Sequence, residues 1–126
     1  MGNPRKSNGS RRRRNRDRMK AEGRGCWICR AFGRPDAIDY SLPAGHPMSF
    51  ELDELVPVSR YWEGGYPSKE ACALDYANND ATHRCCNNWR KNKSVAQVLA
   101  LAGRARKGMH VPSPAKVREM QQPVEW

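Results

Sequence analysis

Two short segments decide the fold of this chain: Cys26-Trp27-Ile28-Cys29 and His83-Arg84-Cys85-Cys86, with 53 residues between them. Each segment carries two metal-ligand side chains separated by two residues, the spacing of structural zinc sites. A tight turn at the first pair, and a shared helix face at the second, would let both members of each pair reach one ion. We therefore predict a structural zinc held by Cys26, Cys29, His83 and Cys86.

The number and context of the cysteines indicate free thiols and not disulfides. The chain has five cysteines, an odd number, and no apolar leader segment precedes them, which argues against a disulfide framework. Cys85 would point away from Cys86 on a helix, and Cys72 has no partner at ligand spacing, so neither is assigned to the zinc. The alternative is that these are small buried residues without a metal. A redox CxxC is disfavoured because no βαβ pattern surrounds it.

Positive charge is concentrated at the N-terminus. The net charge is +10; residues 1–24 hold ten Lys/Arg and two acidic residues, a net of +8, and residues 25–126 hold thirteen and eleven, a net of +2. The composition of residues 1–24 predicts a disordered basic arm, in which residues 16–22 could become helical on binding. Such an arm binds polyanions, with DNA the expected partner through its phosphates. A solvated tail without a partner is the alternative.

The rest of the chain divides into a domain over 25–94 and a helical extension and tail over 95–126. Alternating apolar residues predict a strand over 49–58. Turn residues precede a helix through His83, Asn87 and Lys91, with Asp80 or Thr82 as its N-cap. A second helix starts near Ser94 and ends at Gly103 or Gly108, and a short helix runs toward Met120. The longest apolar stretch is too short to span a bilayer, so we expect a cytoplasmic protein without a membrane partner.

Three motifs together resemble the HNH endonucleases, especially the small members from bacteriophages and bacteria. They are Cys26-x₂-Cys29, the stretch Leu52-Asp53-Glu54-Leu55-Val56-Pro57-Val58-Ser59, and Asn78-x₄-His83-x₂-Cys86-Asn87-x₃-Lys91. The resemblance covers about residues 24–94. It implies an α+β fold, a small ββα-metal finger stabilised by the zinc knuckle and flanked by helices.

The resemblance also implies a site and a reaction. Asp53 and Asn87 would bind a catalytic Mg²⁺ or Mn²⁺, Asn78 would pin the hairpin loop, and Lys91 could meet a phosphate. The ion would stabilise charge on a DNA phosphodiester during hydrolysis with low sequence specificity. The family allows partners in phage packaging, in which case the location would be the bacterial host cytoplasm.

One position departs from the family pattern. Glu54 stands where the family usually has the histidine that activates water, and a carboxylate with a pKa of about 4.3 is a weaker base than an imidazole of about 6.5. Glu54 could be the base, a metal ligand or an inactivating change. His46, in the loop before the strand, is a substitute base in principle.

Two functions of other classes stay open. One is a DNA-binding or assembly protein on an HNH scaffold whose catalysis Glu54 attenuates. The other is a zinc-knuckle adaptor for protein partners, which the basic arm disfavours.

Overall fold

The structure, a computed structural model, describes residues 9–107 as a mixed helical domain around a two-stranded sheet, consistent with the predicted α+β class. In chain order the elements are α1 (Gly9–Glu22), α2 (Trp27–Ala31), β1 (Phe50–Glu54), α3 (Lys69–Leu74), β2 (Asn79–His83), α4 (Arg84–Arg90) and α5 (Val95–Lys107). Two 3₁₀ helices, Val58–Gly64 and Tyr76–Asn78, flank α3.

The sheet and α4 form the centre of the domain. β1 and β2 pair antiparallel with Leu52 opposite Ala81 and Asp53 opposite Asp80, and α4 begins directly after β2. Side chains alternate along β1, so Leu52 packs against α1 while Glu51 and Asp53 share the opposite face. The order strand, strand, helix therefore brings the end of β1 beside α4.

Two predicted boundaries are corrected by the hydrogen bonds. The strand predicted over 49–58 ends at Glu54, because Leu55 and Val56 donate their N–H groups to Asn78 and Pro57 has none to donate. The predicted caps Asp80 and Thr82 lie inside β2, since the pairing with β1 continues to His83. The helix that follows has His83 at its N-cap position, without a capping hydrogen bond from the side chain, and stops at Arg90.

The predicted disorder of the arm is wrong for the part that the structure describes. Residues Gly9–Glu22 form α1, whose Met19 is 0% exposed and packs with Leu52 and Ala81. Asn15 donates to Leu74 O and to Asn79 Oδ1, each at 3.3 Å. One buried methionine and a few polar contacts thus dock a helix that composition alone describes as a tail; residues 1–8 lie outside the described range.

A core beneath the sheet joins the N-terminal knuckle to the last helix. Ile28 and Val98 are both fully buried in it, and the ring of Phe32 meets that of Trp89 edge-on with centroids 5.4 Å apart. α5 runs through Gly103, one of its two predicted ends, to Lys107. The extension predicted from residue 95 therefore packs onto the domain; Gly108 and the helix predicted toward Met120 lie outside the described residues.

Within residues 9–107, none of the helices combines the length and the apolar character needed to cross a membrane.

Candidate metal centre and catalytic cleft

The four predicted zinc ligands converge in one buried cluster. Cys26, Cys29, His83 and Cys86 are 0%, 6%, 1% and 2% exposed, and their ligand atoms all lie within 4.8 Å of one another. The cluster could hold a metal ion. It is also the one group of three or more Cys, His, Asp or Glu with this geometry among residues 9–107.

The spacing of the ligand atoms matches a tetrahedral site. With Zn–S of about 2.3 Å and Zn–N of about 2.05 Å, a tetrahedron has S···S edges of about 3.8 Å and S···N edges of about 3.6 Å. Cys29 Sγ lies 3.6 Å from Cys86 Sγ and 3.4 Å from His83 Nδ1, and Cys86 Sγ lies 4.0 Å from that nitrogen. The donor set, and the three edges among Cys29, His83 and Cys86, are therefore compatible with zinc.

Neighbouring backbone groups orient the ligands. His83 Nε2 donates to Ala37 O at 3.0 Å, which turns Nδ1 toward the three sulfurs. Cys26 N–H donates to Asp36 O at 2.7 Å, and a Cβ on Gly25 would lie 2.8 Å from that same oxygen. Glycine at position 25 thus allows the loop with Asp36 and Ala37, whose carbonyl bonds His83, to approach the turn that carries Cys26 and Cys29.

The thiols and the imidazole perturb one another strongly. Hydrogen bonds with Cys29 and then Cys86 lower the pKa of the Cys26 thiol, while hydrogen bonds with Cys26 and Cys29 raise that of Cys86. Burial lowers the pKa of His83, but its contacts with Cys26 and Cys29 outweigh burial and raise the pKa to about 10. A proton on His83 therefore competes with a metal, and metal affinity should fall as pH falls.

The knuckle also touches the end of β1 through Trp27, which lies between its two cysteines. Trp27 Nε1 donates to Asp53 Oδ2 at 2.8 Å, and the same oxygen accepts a hydrogen bond from Arg90 Nη1. Burial raises the pKa of the Asp53 carboxyl, and the charge of Arg90 opposes that shift. The metal cluster and Asp53 are therefore parts of one packed unit.

Arg90 is the buried centre of this contact. It is 2% exposed and donates to Glu54 O at 3.2 Å, Leu55 O at 2.6 Å and Lys93 O at 3.0 Å as well as to Asp53. Its guanidinium lies 5.3 Å from the Trp27 ring centroid. Arg90 thus ties the end of β1 to α4.

A cleft opens between β1, α1 and α4, and we call it the site cleft. Its volume is about 460 Å³, and Asp53, Glu54, Asn87 and Lys91 all line it. Its other charged lining residues are Arg12, Arg16, Glu51, Arg84 and Arg90. Four of the five predicted catalytic residues therefore meet at one cavity.

The polar groups of the site cleft are largely paired within the protein. Asn87 Nδ2 donates to Glu51 Oε1 at 2.9 Å, which leaves its amide oxygen as the atom suited to a cation. Glu54 Oε1 accepts from Arg12 Nη1 at 2.9 Å, with side chains 6% and 20% exposed respectively. The oxygen donors suit a hard cation, but each lies beside a protein partner.

Asn78 stands apart from the site cleft. It is buried, its Oδ1 accepts from Val56 N at 2.9 Å, and its Nδ2 donates to Val56 O at 3.0 Å and to Cys72 O at 3.3 Å. These bonds pin the loop after β1, which is the role that the family resemblance implies. Asn78 therefore orders the loop and does not contribute to the cleft lining.

Lys91 lines the site cleft, but from a position different from the predicted one. It does not continue the helix face of Asn87, because it is the C-cap of α4 with φ 50° and ψ −119°. Positive φ is costly for a residue with a Cβ and often occurs at functional sites. This turn sends the chain away from α4 while Lys91 remains exposed at the rim.

The other residues considered from the sequence lie elsewhere. His46 accepts the Met48 N–H at 3.0 Å through Nδ1 and does not line the site cleft, so it does not substitute for a base there. Cys72 contacts Val56 O at 3.3 Å, and Cys85 contacts Met48 Sδ at 3.8 Å. Neither belongs to the metal cluster.

Several residues of the site escaped the sequence analysis. Glu51 precedes Asp53 by two positions, so strand alternation was a usable signal for it. Arg90 follows Asn87 by three positions on a helix, a second usable signal. The contact from Trp27 to Asp53 joins segments 26 residues apart and has no local signature.

No protein-family model, curated protein or solved structure matches this chain.

Proposed function

We propose that the chain is an HNH-type, metal-dependent endonuclease that hydrolyses DNA phosphodiester bonds with low sequence specificity. One observation carries the proposal: Asp53 and Asn87 lie on facing elements of a strand–strand–helix unit and line one cleft. The rim of that cleft carries Arg16, Arg84 and Lys91, cations that suit a phosphate backbone of any sequence.

Zinc is the metal proposed for the Cys₃His cluster. Thiolates and imidazole select a borderline-soft ion, and four protein ligands close the coordination sphere, as in a structural site. Because this cluster lies beneath Asp53, its role is to hold the site in shape and not to react.

The catalytic ion proposed is Mg²⁺ or Mn²⁺. Asp53 and the amide oxygen of Asn87 would hold it, and phosphate and water oxygens would complete its coordination, as is common for hard cations bound by few carboxylates. Such an ion supplies charge stabilisation on the phosphate. Asp53 Oδ2 is already held by Trp27 and Arg90, so Oδ1 is the oxygen that this role requires.

Glu54 is the proposed base. Its carboxylate lines the cleft beside Asp53 and is held by Arg12. The ion pair with Arg12 occupies Oε1, so Glu54 has to leave this partner before that oxygen can take a proton from water. A phosphate that attracts Arg12 would release Glu54 toward the attacking water.

The second candidate is a DNA-binding or assembly protein on the same scaffold, with catalysis attenuated. The specific observation in its favour is that both acidic residues at the end of β1 are paired with arginines, Asp53 with Arg90 and Glu54 with Arg12. In each pair the arginine has to be displaced before the carboxylate oxygen that it contacts can bind a cation or activate water. This candidate keeps DNA binding and zinc and loses hydrolysis.

Variants of the cleft separate the two candidates. Supercoiled plasmid is incubated with zinc-loaded protein and Mg²⁺ or Mn²⁺, and nicking is compared among Asp53→Ala, Asn87→Ala and Glu54→Ala. The nuclease proposal expects the first two to abolish nicking and Glu54→Ala to slow it by about 10²–10⁴-fold. Arg14→Ala, which removes a charge of α1 outside the cleft lining, is the control.

A gain-of-function variant completes the test. Glu54→His, alone and combined with Arg12→Gln, provides the imidazole of the family pattern. If the parent protein is inert with both ions while one of these variants nicks DNA, the second candidate, a DNA-binding or assembly protein with attenuated catalysis, is correct. If Asp53→Ala nicks plasmid as fast as the parent protein does, the assigned site is wrong.

A further inference from the structure

A second cleft adjoins the site cleft along α1. It has a volume of about 330 Å³ and is reached past Arg16, Ser49 and Phe50, which line both cavities. The two clefts are therefore neighbouring parts of one groove, with α1 as a common wall.

The charge of the second cleft differs from that of the site cleft. Arg13, Arg16 and Lys20 line it from α1, and Asp17 is the one acidic residue in its lining. The three carboxylates of β1 that line the site cleft do not reach it. A phosphate in the second cleft would meet three cations and one carboxylate, Asp17, without the three carboxylates of β1.

Its opposite wall is aromatic and aliphatic. The rings of Tyr40 and Phe50 lie with centroids 4.9 Å apart at 52°, and Leu42 lines the same wall. The Tyr40 hydroxyl donates to Arg24 O at 2.6 Å, which fixes the ring. A fixed ring pair beside three cations matches the two parts of a nucleotide, its base and its phosphate.

We propose that the second cleft binds an unpaired nucleotide of a nucleic-acid strand, with its base against Tyr40 and Phe50 and its phosphate near Arg13, Arg16 and Lys20. In a duplex both faces of a base are covered by its neighbours, so only an unstacked base can use an aromatic wall. The inference rests on the proposed function in taking the site cleft as the position of the scissile phosphate. It adds a substrate class: DNA with a single-stranded stretch beside the cleavage point.

Binding of oligonucleotides tests this without any cleavage. Fluorescence anisotropy measures the affinity of the full, zinc-loaded chain for a single strand and for a blunt duplex at one salt concentration, without added Mg²⁺ or Mn²⁺. Tyr40→Ala should weaken single-strand binding by about 5- to 150-fold, the effect of losing one stacked base. Tyr40→Phe keeps the ring and loses only the hydroxyl bond to Arg24 O, so it should weaken single-strand binding less than Tyr40→Ala does. Duplex binding should change less than about 2-fold with either variant.

Two cations of α1, one inside and one outside the second cleft, provide a matched comparison. Lys20→Ala removes a cation of the second cleft, whereas Arg14→Ala removes one that lines neither cleft. Lys20→Ala should weaken single-strand binding more than Arg14→Ala does. Equal losses for both substitutions, on single strand and duplex alike, would reduce the second cleft to general phosphate attraction and overturn the proposal.

Photocross-linking keeps the proposal testable if Tyr40→Ala does not fold. A single strand with 5-iodouracil is irradiated with the parent protein, and peptides are mapped by mass spectrometry. Cross-links at Tyr40 or Phe50 are expected, and cross-links confined to other segments would overturn the inference. A protein that cross-links there but never cleaves keeps this inference and loses the nuclease proposal; one that nicks blunt duplex without these cross-links does the reverse.

Discussion

Replacement of the buried Arg90 by methionine should destabilise the domain strongly. Arg90→Met keeps most of the side-chain volume and removes the hydrogen bonds to Asp53, Glu54 O, Leu55 O and Lys93 O. Breaking a buried ion pair from one side costs about 3–5 kcal/mol, because the remaining charge is left desolvated. The expected decrease in the free energy of unfolding is therefore about 3–5 kcal/mol near neutral pH.

The loss should also depend on pH in a direction that follows from Asp53. Burial raises the pKa of this carboxyl and Arg90 opposes the shift, so the pKa should rise further in the variant. A carboxyl whose pKa is raised by folding stabilises the folded state at low pH and loses that contribution as pH rises. The difference in the free energy of unfolding between the parent and Arg90→Met should therefore become smaller from pH 7.5 to pH 5.5, by at most about 1.4 kcal/mol per pH unit.

Urea unfolding of zinc-loaded protein at both pH values measures these quantities. Arg18→Met is the matched control, because the Arg18 and Glu22 side chains are 63% and 37% exposed and an exposed ion pair adds little to the free energy of unfolding. If Arg90→Met is no more destabilising than Arg18→Met, or if its deficit is the same at pH 5.5 and 7.5, the buried pair does not organise the site as argued.

Three further predictions concern the metal, the arm and the loop. Elemental analysis should find one zinc per chain, and Cys29→Ser should lose the metal and unfold the domain, whereas a metal-free, fully folded parent would contradict the cluster's role. Met19→Ala should lower the free energy of unfolding in urea by about 2–5 kcal/mol, because Met19 is fully buried beneath α1. Deletion of residues 1–20 should lower both this free energy and the salt dependence of DNA binding. If neither change alters the free energy of unfolding, α1 is a loose arm. Asn78→Ala should cost about 2 kcal/mol or more by removing its bonds to Val56 and Cys72 while leaving zinc content unchanged, and a loss of zinc instead would assign Asn78 to the metal centre.

The sequence predicted well those features that depend on local spacing. Ligand pairs with two-residue gaps led to Cys26, Cys29, His83 and Cys86, which the structure brings together. Such signals act over a few residues, so composition and periodicity record them. The α+β class came with the resemblance to the HNH endonucleases, whereas the strand and the helix were predicted locally with a misplaced strand end and helix cap.

The features that the sequence analysis missed depend on contacts between distant segments. Helix α1 packs onto the domain through Met19, its one buried residue among many cations, and its sequence has no amphipathic pattern that would predict this contact. Arg90 looks like one more basic residue at a helix end until Asp53 and Trp27 are placed against it. Burial of charge is decided by tertiary packing, which local propensity does not record.

The most direct measurement of the central claim is the conversion of supercoiled plasmid to open circles by the zinc-loaded parent protein in Mn²⁺. Parallel reactions contain Asp53→Ala, whose zinc content is checked first, and parent protein without added Mn²⁺. We expect open circles with the parent and Mn²⁺, and none in the two parallel reactions. Full-length supercoiled plasmid in all three, or equal nicking by Asp53→Ala, would contradict it.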